Sequence, residues 1–431
     1  MNMTKRKRLF LFIIISVLCA ITIALVILYS LGWRVDIREG KIIQAGSFYF
    51  RIWPRGVNVS LVPVYLEEKA IERTTFFNAI YIENILPRRY RITIEKEGFH
   101  AFEKELDLEP RSVTEARNIT LVKKNPYFSL ISEDVDDFYI SPDERRIIFL
   151  KEGDAYLLNL QTNRQSLLLE DISIKDLIFF PDSTKAVIET DKGYFVLEES
   201  SLLPLSLKGE IIPGYEEKIF FFNQNTLYVI DLEKRESEIV LSEAVSVFIE
   251  RNDIFYLDSQ GFVIKSNKEL NKVPLEIKNV SYEILIINSV PYVKEGNKVY
   301  KLEEEKFVPF LDAVTNIVAS HNGEKVVFSN NHEVRVLFLK EQHDQPKREA
   351  EEIIFLSRFS EKIKDIFWWT NHYLIFNTER DIKIMEIDNR DKINTFVLAE
   401  FKNPKIFWSR INRKLFVLSE DSLYISESLI F

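Results

Sequence analysis

Apolar residues follow two different patterns along this chain. One uninterrupted apolar run extends from Leu9 to Leu31, and a helix of that length spans roughly 35 Å, enough to cross the hydrocarbon core of a bilayer. Beyond the run, apolar and polar residues alternate in short segments such as YRITI at 90–94, a pattern typical of strands with one buried face. The chain is therefore predicted to have one transmembrane helix at 9–31, followed by an all-β ectodomain.

The charges that flank the apolar run predict its orientation. Four consecutive basic residues at 5–8 precede it, which favours a cytoplasmic N-terminus at the cell membrane. The apolar part of a signal peptide is shorter, about 7–15 residues, and ends in a small-residue cleavage site that this chain lacks. We expect an uncleaved, single-pass signal anchor, with a cleaved signal peptide as the alternative. Residues 1–8 would form a cytoplasmic basic tail, residues 32–45 a juxtamembrane linker, and the C-terminal domains would be extracytoplasmic.

Residues 46–124 predict a compact antiparallel β-sandwich. Turn signals separate their alternating segments at Pro54 to Gly56, at Pro87, at Glu97-Gly98 and at Glu109-Pro110, as expected for a small sandwich of short strands.

The order of features in this segment resembles the PEGA domain, a small β-sandwich found mostly in extracytoplasmic proteins of bacteria and archaea. The segment departs from the family at Val57, where Ala is usual, and at Arg88, where Gly is usual. The resemblance implies a module without catalytic residues. The matching features are Pro54-x-Gly56 followed by Val57 and Val59, Thr74-Thr75, Ile85-Leu86-Pro87 before Tyr90-x-Ile92-x-Ile94, Lys96-Glu97-Gly98-Phe99, and Thr120-Leu121.

Residues 126–431 predict a β-propeller built from an internal repeat of four short strands. The second strands recur at intervals close to the roughly 40 residues of a propeller blade. Eight repeats predict eight blades, with seven as the alternative because the unit at 281–312 is weak. Residues 127–131 could complete the final unit and close the ring, which would remove exposed sheet edges. The eight markers are Ile147, Val187, Ile219, Ile254, Pro291, Val326, Leu374 and Leu415.

A short motif supports the propeller interpretation. Ser141-Pro142-Asp143 resembles the turn of the WD40-like repeats in TolB-type propellers. A pair of packed sandwiches is the structural alternative, although eight units of similar length are harder to fit to it.

Composition and missing motifs exclude several classes of function. A formal net charge of -9 disfavours binding to nucleic acid, which requires clustered basic residues. The one cysteine, Cys19, lies in the apolar run, so no disulfide can form within the chain. Zinc, nucleotide and serine-hydrolase signatures are absent from the sequence. We therefore predict no catalytic residues, no metal and no cofactor.

Four residues are weak candidates for binding a partner. Trp368, Trp369 and Trp408 lie on predicted inner strands, where aromatic residues usually pack in the core. His343 belongs to the polar segment 340–352, which is predicted to be a long exposed loop able to carry recognition.

The sequence thus leads to two hypotheses of different classes. The first is a membrane-anchored extracytoplasmic binding or scaffold protein that presents a β-propeller to a protein or a cell-envelope polysaccharide, without catalysis. The alternative is an extracytoplasmic enzyme, or enzyme subunit, that acts on peptides or glycans at the propeller funnel, because fold alone does not exclude it.

Overall fold

An N-terminal helix, α1 (Lys5–Ser30), precedes the β-rich remainder of the chain. The computed structural model describes residues 5–37, 40–65, 69–205, 209–213, 218–232, 236–250 and 253–430, so residues 1–4 of the predicted basic tail lie outside the described residues. Residues Arg8–Ser30 are long and apolar enough to cross a membrane, and none of that span is buried against the rest of the protein. Length and composition of this kind fit a membrane anchor or a signal sequence.

The segment expected to be a linker forms a hairpin of two strands, β1 (Trp33–Asp36) and β2 (Lys41–Gln44). The hairpin returns the chain to the end of α1, where Ala45 N donates a 2.8 Å hydrogen bond to Gly32 O. Asp36 forms an ion pair with Arg88, and both side chains are largely buried. Arg88, which departs from the PEGA pattern, therefore attaches the hairpin to the following domain.

Residues 46–122 form what we call the two-sheet domain. Its sheets have the strand orders β6-β3-β9 and β5-β4-β7-β8, and they enclose one core that includes Phe48, Phe50, Leu61 and Ile92. The prediction of a purely antiparallel arrangement is wrong, because β3 pairs with β9 in parallel. These are the first and last strands of the domain, and the long connection through the other sheet lets both run in one direction. The strands are β3 (Gly46–Trp53), β4 (Asn58–Pro63), β5 (Ile71–Thr74), β6 (Ala79–Ile85), β7 (Arg89–Glu95), β8 (Phe102–Asp107) and β9 (Val113–Thr120).

The rest of the described chain forms eight successive four-stranded antiparallel sheets, which we call the propeller-like array. All eight predicted markers lie on the second strand of a sheet, because each of these strands is an almost continuous apolar segment bounded by turns.

The eight sheets of the array contain strands β10 to β41. The outermost strand of the last sheet is β10 (Phe128–Glu133); the first sheet has β11 (Val135–Ile140), β12 (Arg146–Lys151), β13 (Asp154–Asn159) and β14 (Arg164–Leu169); the second has β15 (Ile174–Phe179), β16 (Lys185–Thr190), β17 (Gly193–Glu198) and β18 (Ser201–Leu205); the third has β19 (Glu210–Pro213), β20 (Lys218–Asn223), β21 (Thr226–Asp231) and β22 (Glu236–Leu241); the fourth has β23 (Ala244–Glu250), β24 (Asp253–Asp258), β25 (Val263–Lys265) and β26 (Lys268–Glu269). The fifth has β27 (Tyr282–Ile287), β28 (Val290–Glu295), β29 (Lys298–Glu303) and β30 (Lys306–Leu311); the sixth has β31 (Asn316–Ala319), β32 (Lys325–Ser329), β33 (Glu333–Phe338) and β34 (Ile353–Arg358); the seventh has β35 (Ile366–Thr370), β36 (Tyr373–Asn377), β37 (Asp381–Glu386) and β38 (Thr395–Glu400); the eighth has β39 (Lys405–Ser409), β40 (Lys414–Ser419) and β41 (Ser422–Ser426).

The two ends of the array are in contact. Strand β10 pairs with β41, with Leu130 opposite Tyr424, so the segment before the first sheet completes the last one. Ser409 Oγ donates a 2.7 Å hydrogen bond to the carboxylate of Glu144 in the first sheet. Side chains of both sheets, among them Phe149 and Phe416, share one hydrophobic cluster.

Candidate functional site

Charged groups are most deeply buried where the two-sheet domain meets the sixth and seventh sheets. Lys104 on β8 has the same alternating register as the buried residues Phe102 and Leu106, so its side chain is carried inward and is only 1% exposed. A buried ammonium group requires a paired charge. Lys104 Nζ lies 2.8 Å from Glu386 Oε1 and donates a 2.6 Å hydrogen bond to the carbonyl oxygen of Asp388.

The two carboxylates of this cluster have opposite pKa shifts. Burial raises the pKa of Glu386 to about 7, and the neighbouring Lys104 offsets this rise only in part. Burial also acts to raise the pKa of Asp388, but hydrogen bonds from Arg390 and the charge of Lys104 outweigh it and leave that pKa lowered. Arg390 Nη1 in addition donates a 2.8 Å hydrogen bond to the carbonyl oxygen of Glu115, which ties this pair to the two-sheet domain.

A small cavity adjoins the cluster. It measures about 40 Å³ and is lined in part by Phe102, His372, Asp388 and Arg390. Burial lowers the pKa of His372 to about 3, and the positive charge of Lys325 adds to that effect, so His372 is neutral near pH 7. Sites for small-molecule ligands measure about 300–1,000 Å³. The cavity has room for only a few water molecules, and the side chains of the cluster connect the two-sheet domain to the seventh sheet.

Larger concave surfaces flank β14, the outermost strand of the first sheet. A groove of about 440 Å³ between the first and second sheets has apolar walls that include Leu157, Leu168 and Phe179, and a polar rim that includes Arg146 and Ser183. These dimensions fall in the range of ligand sites. Leu167 on β14 is 44% exposed at the lip of this groove.

A second groove lies on the other side of the first sheet. It measures about 380 Å³, and its lining combines Leu160 and Phe416 with Asn412 and Lys414. The two surfaces, which we call the β14 grooves, combine apolar walls with hydrogen-bonding rims, and they can therefore hold an apolar side chain and position its polar neighbours.

The three tryptophans predicted as weak partner-binding residues are buried. Trp368 and Trp369 are each 1% exposed and Trp408 is 3% exposed, so their rings do not form a surface for a partner. All three lie on the first strands of their sheets, where the side chains fill the space between neighbouring sheets. The Nε1 atom of Trp368 donates a 2.9 Å hydrogen bond to Val318 O, whereas no partner is found among the described residues for Nε1 of Trp369 or Trp408.

His343 is exposed, but its loop is not free. The His343 side chain is 83% exposed and lies 3.3 Å from the carboxylate of Glu341. The neighbouring Gln345 accepts a 2.9 Å hydrogen bond from Glu115 N and donates a 3.0 Å hydrogen bond to Val113 O of β9. The segment predicted as a recognition loop thus packs against the two-sheet domain, and the binding role of His343 stays a prediction.

Sequence reasoning missed the buried cluster and the β14 grooves. One signal for the cluster was present, since Lys104 takes the place of an apolar residue in the alternation of Phe102 and Leu106. In the described part of the chain, no group of three or more His, Cys, Asp or Glu side chains is arranged to hold a metal ion.

No protein family and no curated protein matches this chain. Solved structures show a distant likeness to it. Hsv2 of Kluyveromyces lactis is 10% identical, with a TM-score of 0.43 over 63% of this chain and 100% of that one. A structure described as the eukaryotic initiation factor is 11% identical, with a TM-score of 0.46 over 73% of this chain and 95% of that one. The computationally designed Ika8 protein is 12% identical, with a TM-score of 0.45 over 69% of this chain and 97% of that one.

Proposed function

We propose that this protein is a membrane-anchored scaffold that binds a protein or a cell-envelope polymer through a closed, eight-bladed β-propeller. One observation carries the proposal: of eight successive four-stranded sheets, the last is completed by β10, the strand that precedes the first sheet in the chain, through its pairing with β41. A closed ring protects its sheet edges and presents loops and grooves on a rigid frame. The β14 grooves are the proposed contact surface.

In this proposal α1 stays in the cell membrane as an uncleaved anchor, with its N-terminus in the cytoplasm and the domains outside. The hairpin after α1 supports a rigid connection, because it is held at one end by Ala45 and Gly32 and at the other by Asp36 and Arg88. The two-sheet domain would be a PEGA-like spacer between the membrane and the propeller, and the buried pair of Lys104 and Glu386 would fix the propeller to it.

Catalysis is not part of the proposal. Glu386 and His372 have strongly shifted pKa values, which is a common property of catalytic groups. Both line the cavity of about 40 Å³ at the domain junction, which is too small for a peptide or a sugar ring. Their shifts follow from burial of an interface and need no substrate to explain them.

Site-specific photo-cross-linking of the full-length chain in its native membrane tests the binding proposal. A benzophenone amino acid at Leu167, on the lip of a β14 groove, should capture a discrete protein or polymer. The matched control is Phe355, which is 50% exposed on the outermost strand of the sixth sheet, and which should capture none. Equal capture at both positions, or at neither, would exclude the groove between the first and second sheets as the binding surface.

Thiol labelling tests the topology. A Cys19→Ser chain with a new cysteine at Ile239, which is 67% exposed, should react with a membrane-impermeant maleimide added to intact cells. Reaction only after the cells are opened would show that the propeller faces the cytoplasm.

A further inference from the structure

Unusually exposed apolar side chains lie on the two-sheet domain and on the hairpin before it. Outside α1, the four most exposed large apolar residues of the described chain are Ile37 at 88%, Tyr65 at 83%, Phe76 at 82% and Phe77 at 77%. Single exposed apolar residues are ordinary on protein surfaces. Four that all protrude within one small part of a large protein point to a surface that is covered in its working state.

The sheet orders place these residues on one side of the domain. Strands β5 and β6 are the edge strands of their sheets, and β8 and β9 are the opposite edges. The opposite edges contact the propeller-like array, as shown by the hydrogen bond from Glu105 N to Asp391. Tyr65 follows β4 on the way to β5, and the Phe76-Phe77 pair lies in the loop that connects β5 to β6. The exposed residues thus lie along the side that faces away from the propeller-like array.

The hairpin extends the same side toward the anchor. Arg34 on β1 donates a hydrogen bond to the side chain of Asn84 on β6, and Ile37 follows directly after β1. The exposed side, which we call the β5/β6 edge, is therefore continuous with the end of α1.

The charge around the phenylalanine pair is positive, although the whole chain carries -9. Segments 51–56 and 73–78 are adjacent, since Thr75 N donates a 2.9 Å hydrogen bond to Val57 O and Ile52 N donates a 2.6 Å hydrogen bond to Asn78 O. The two segments carry three exposed arginines and no acidic residue. The arginines are Arg51, Arg55 and Arg73.

Exposed phenylalanine surrounded by arginine is the chemistry of a membrane interface. The rings enter the boundary between headgroups and acyl chains, and guanidinium groups bind lipid phosphates. Trp53 lies beside the pair with the guanidinium of Arg51 4.6 Å from its ring centre, and amphipathic aromatic rings of this type concentrate at headgroup level.

We propose that the β5/β6 edge lies on the bilayer that holds α1, with Phe76 and Phe77 inserted among anionic lipids. This inference rests on the proposed membrane anchor. Strand β3 runs eight residues from Gly46 beside the hairpin to Trp53 beside the phenylalanine pair, about 25 Å at strand rise. For Ile37 and Phe77 to meet one surface, β3 lies along the membrane. The propeller, on the opposite edge, is then held away from the lipid by the width of the domain.

Lipid quenching in nanodiscs tests the proposal with the full-length chain. Cys19→Ser removes the native thiol, and Ala79→Cys places a fluorophore next to the phenylalanine pair at a small, exposed residue. A matched chain carries the fluorophore at Ile239→Cys on the third sheet. With phosphatidylglycerol in the disc and a spin label on the lipid headgroup, quenching at position 79 should exceed that at position 239 several-fold. Phe76→Ser with Phe77→Ser, or discs of phosphatidylcholine alone, should remove most of the difference.

Several outcomes would overturn the proposal. Equal quenching at positions 79 and 239 would place the edge in water. Quenching at position 79 only when separate vesicles carry the spin label would assign the edge to a second membrane. Protection of the fluorophore at position 79 from water only when membrane proteins are added would assign the edge to a protein partner. Co-flotation with the discs distinguishes the proposed membrane anchor from the proposed contact of the β5/β6 edge. A chain that does not float with the discs contradicts the anchor. A chain that floats but shows no quenching at position 79 contradicts only the edge contact. Unchanged cooperative melting of the double serine variant shows that it is folded.

Discussion

Lys104 Nζ lies 2.8 Å from Glu386 Oε1, although β8 and β37 belong to different domains. The two side chains are 1% and 4% exposed, so little water screens either charge. Glu386 Oε1 also accepts hydrogen bonds from the main-chain N and the Nδ2 of Asn394, at 2.9 and 2.7 Å. A buried pair of this kind fixes the relative position of two domains, because breaking it leaves an uncompensated charge.

Removing one member of the pair should cost far more than removing both. At about pH 8, above the pKa of about 7 at which Glu386 ionises, Lys104→Met leaves a buried carboxylate without its cation, and we expect a loss of about 3–5 kcal/mol in the free energy of unfolding. The double variant Lys104→Met with Glu386→Leu replaces both charges by apolar groups and should recover most of that loss. Urea unfolding of the wild-type protein, of Lys104→Met, of Glu386→Leu and of the double variant completes a double-mutant cycle. Additive losses would show that the two side chains do not interact.

The raised pKa of Glu386 predicts a pH dependence with a definite sign. The folded protein keeps this proton up to about pH 7, whereas the unfolded chain releases it near the ordinary value of about 4.5. The folded state therefore binds more protons in this window, and stability falls as pH rises through it. Relative to Glu386→Gln, the wild-type protein should lose stability between about pH 4.5 and 7. Melting temperatures of both chains across this range provide the measurement; a constant difference would contradict the raised pKa.

His372 should act in the opposite direction. Its pKa is lowered to about 3 in the folded protein, so below about pH 6.5 the unfolded chain binds a proton that the folded chain does not. Stability is lost as pH falls from about 6.5 towards 3. His372→Gln, which cannot take up the proton, should be less sensitive to acid than the wild-type protein in guanidinium titrations at pH 7 and 4.5. Equal acid sensitivity of the two proteins would place His372 in contact with water.

The pattern of apolar segments and turn residues predicted the repeats well, because each repeat depends on signals that lie close together in the sequence. The marker Ile147, for example, lies in an apolar segment between a Pro-Asp turn and a Gly turn, and these signals alone determine a hairpin. The grooves and the buried cluster depend on side chains brought together from distant positions, such as Lys104 and Glu386, which no local pattern connects. The β5/β6 edge was missed for a related reason, because two phenylalanines in sequence do not show whether they are buried or exposed.

The adjacent tryptophans Trp368 and Trp369 provide a matched comparison of buried indoles. Both are 1% exposed, but only the Nε1 of Trp368 has a hydrogen-bond acceptor, Val318 O at 2.9 Å. Replacement by phenylalanine removes similar apolar contacts at both sites, and at Trp368 it also removes the hydrogen bond to Val318 O. We expect Trp368→Phe to cost about 1–2 kcal/mol more than Trp369→Phe, as measured by urea unfolding. The opposite order would show that packing differences outweigh the hydrogen bond.

The contact between the first and last sheets can be tested with two serines of the last sheet. Ser409, which is fully buried, donates a 2.7 Å hydrogen bond to Glu144 of the first sheet. Ser419 donates a 2.8 Å hydrogen bond to Lys402 O, next to its own sheet. Ser409→Ala and Ser419→Ala should each cost about 0.5–3 kcal/mol, because each removes a hydrogen bond donated by a buried serine hydroxyl.

The two serine substitutions should differ in their effects on local unfolding of the array. Ser409→Ala should speed amide hydrogen exchange in the turn at 141–146 of the first sheet as well as in β39, because the broken bond joins the two. Ser419→Ala should speed exchange in the last sheet alone. If Ser409→Ala leaves the exchange of 141–146 unchanged, the hydrogen bond of Ser409 does not couple the two ends of the array into one cooperative unit.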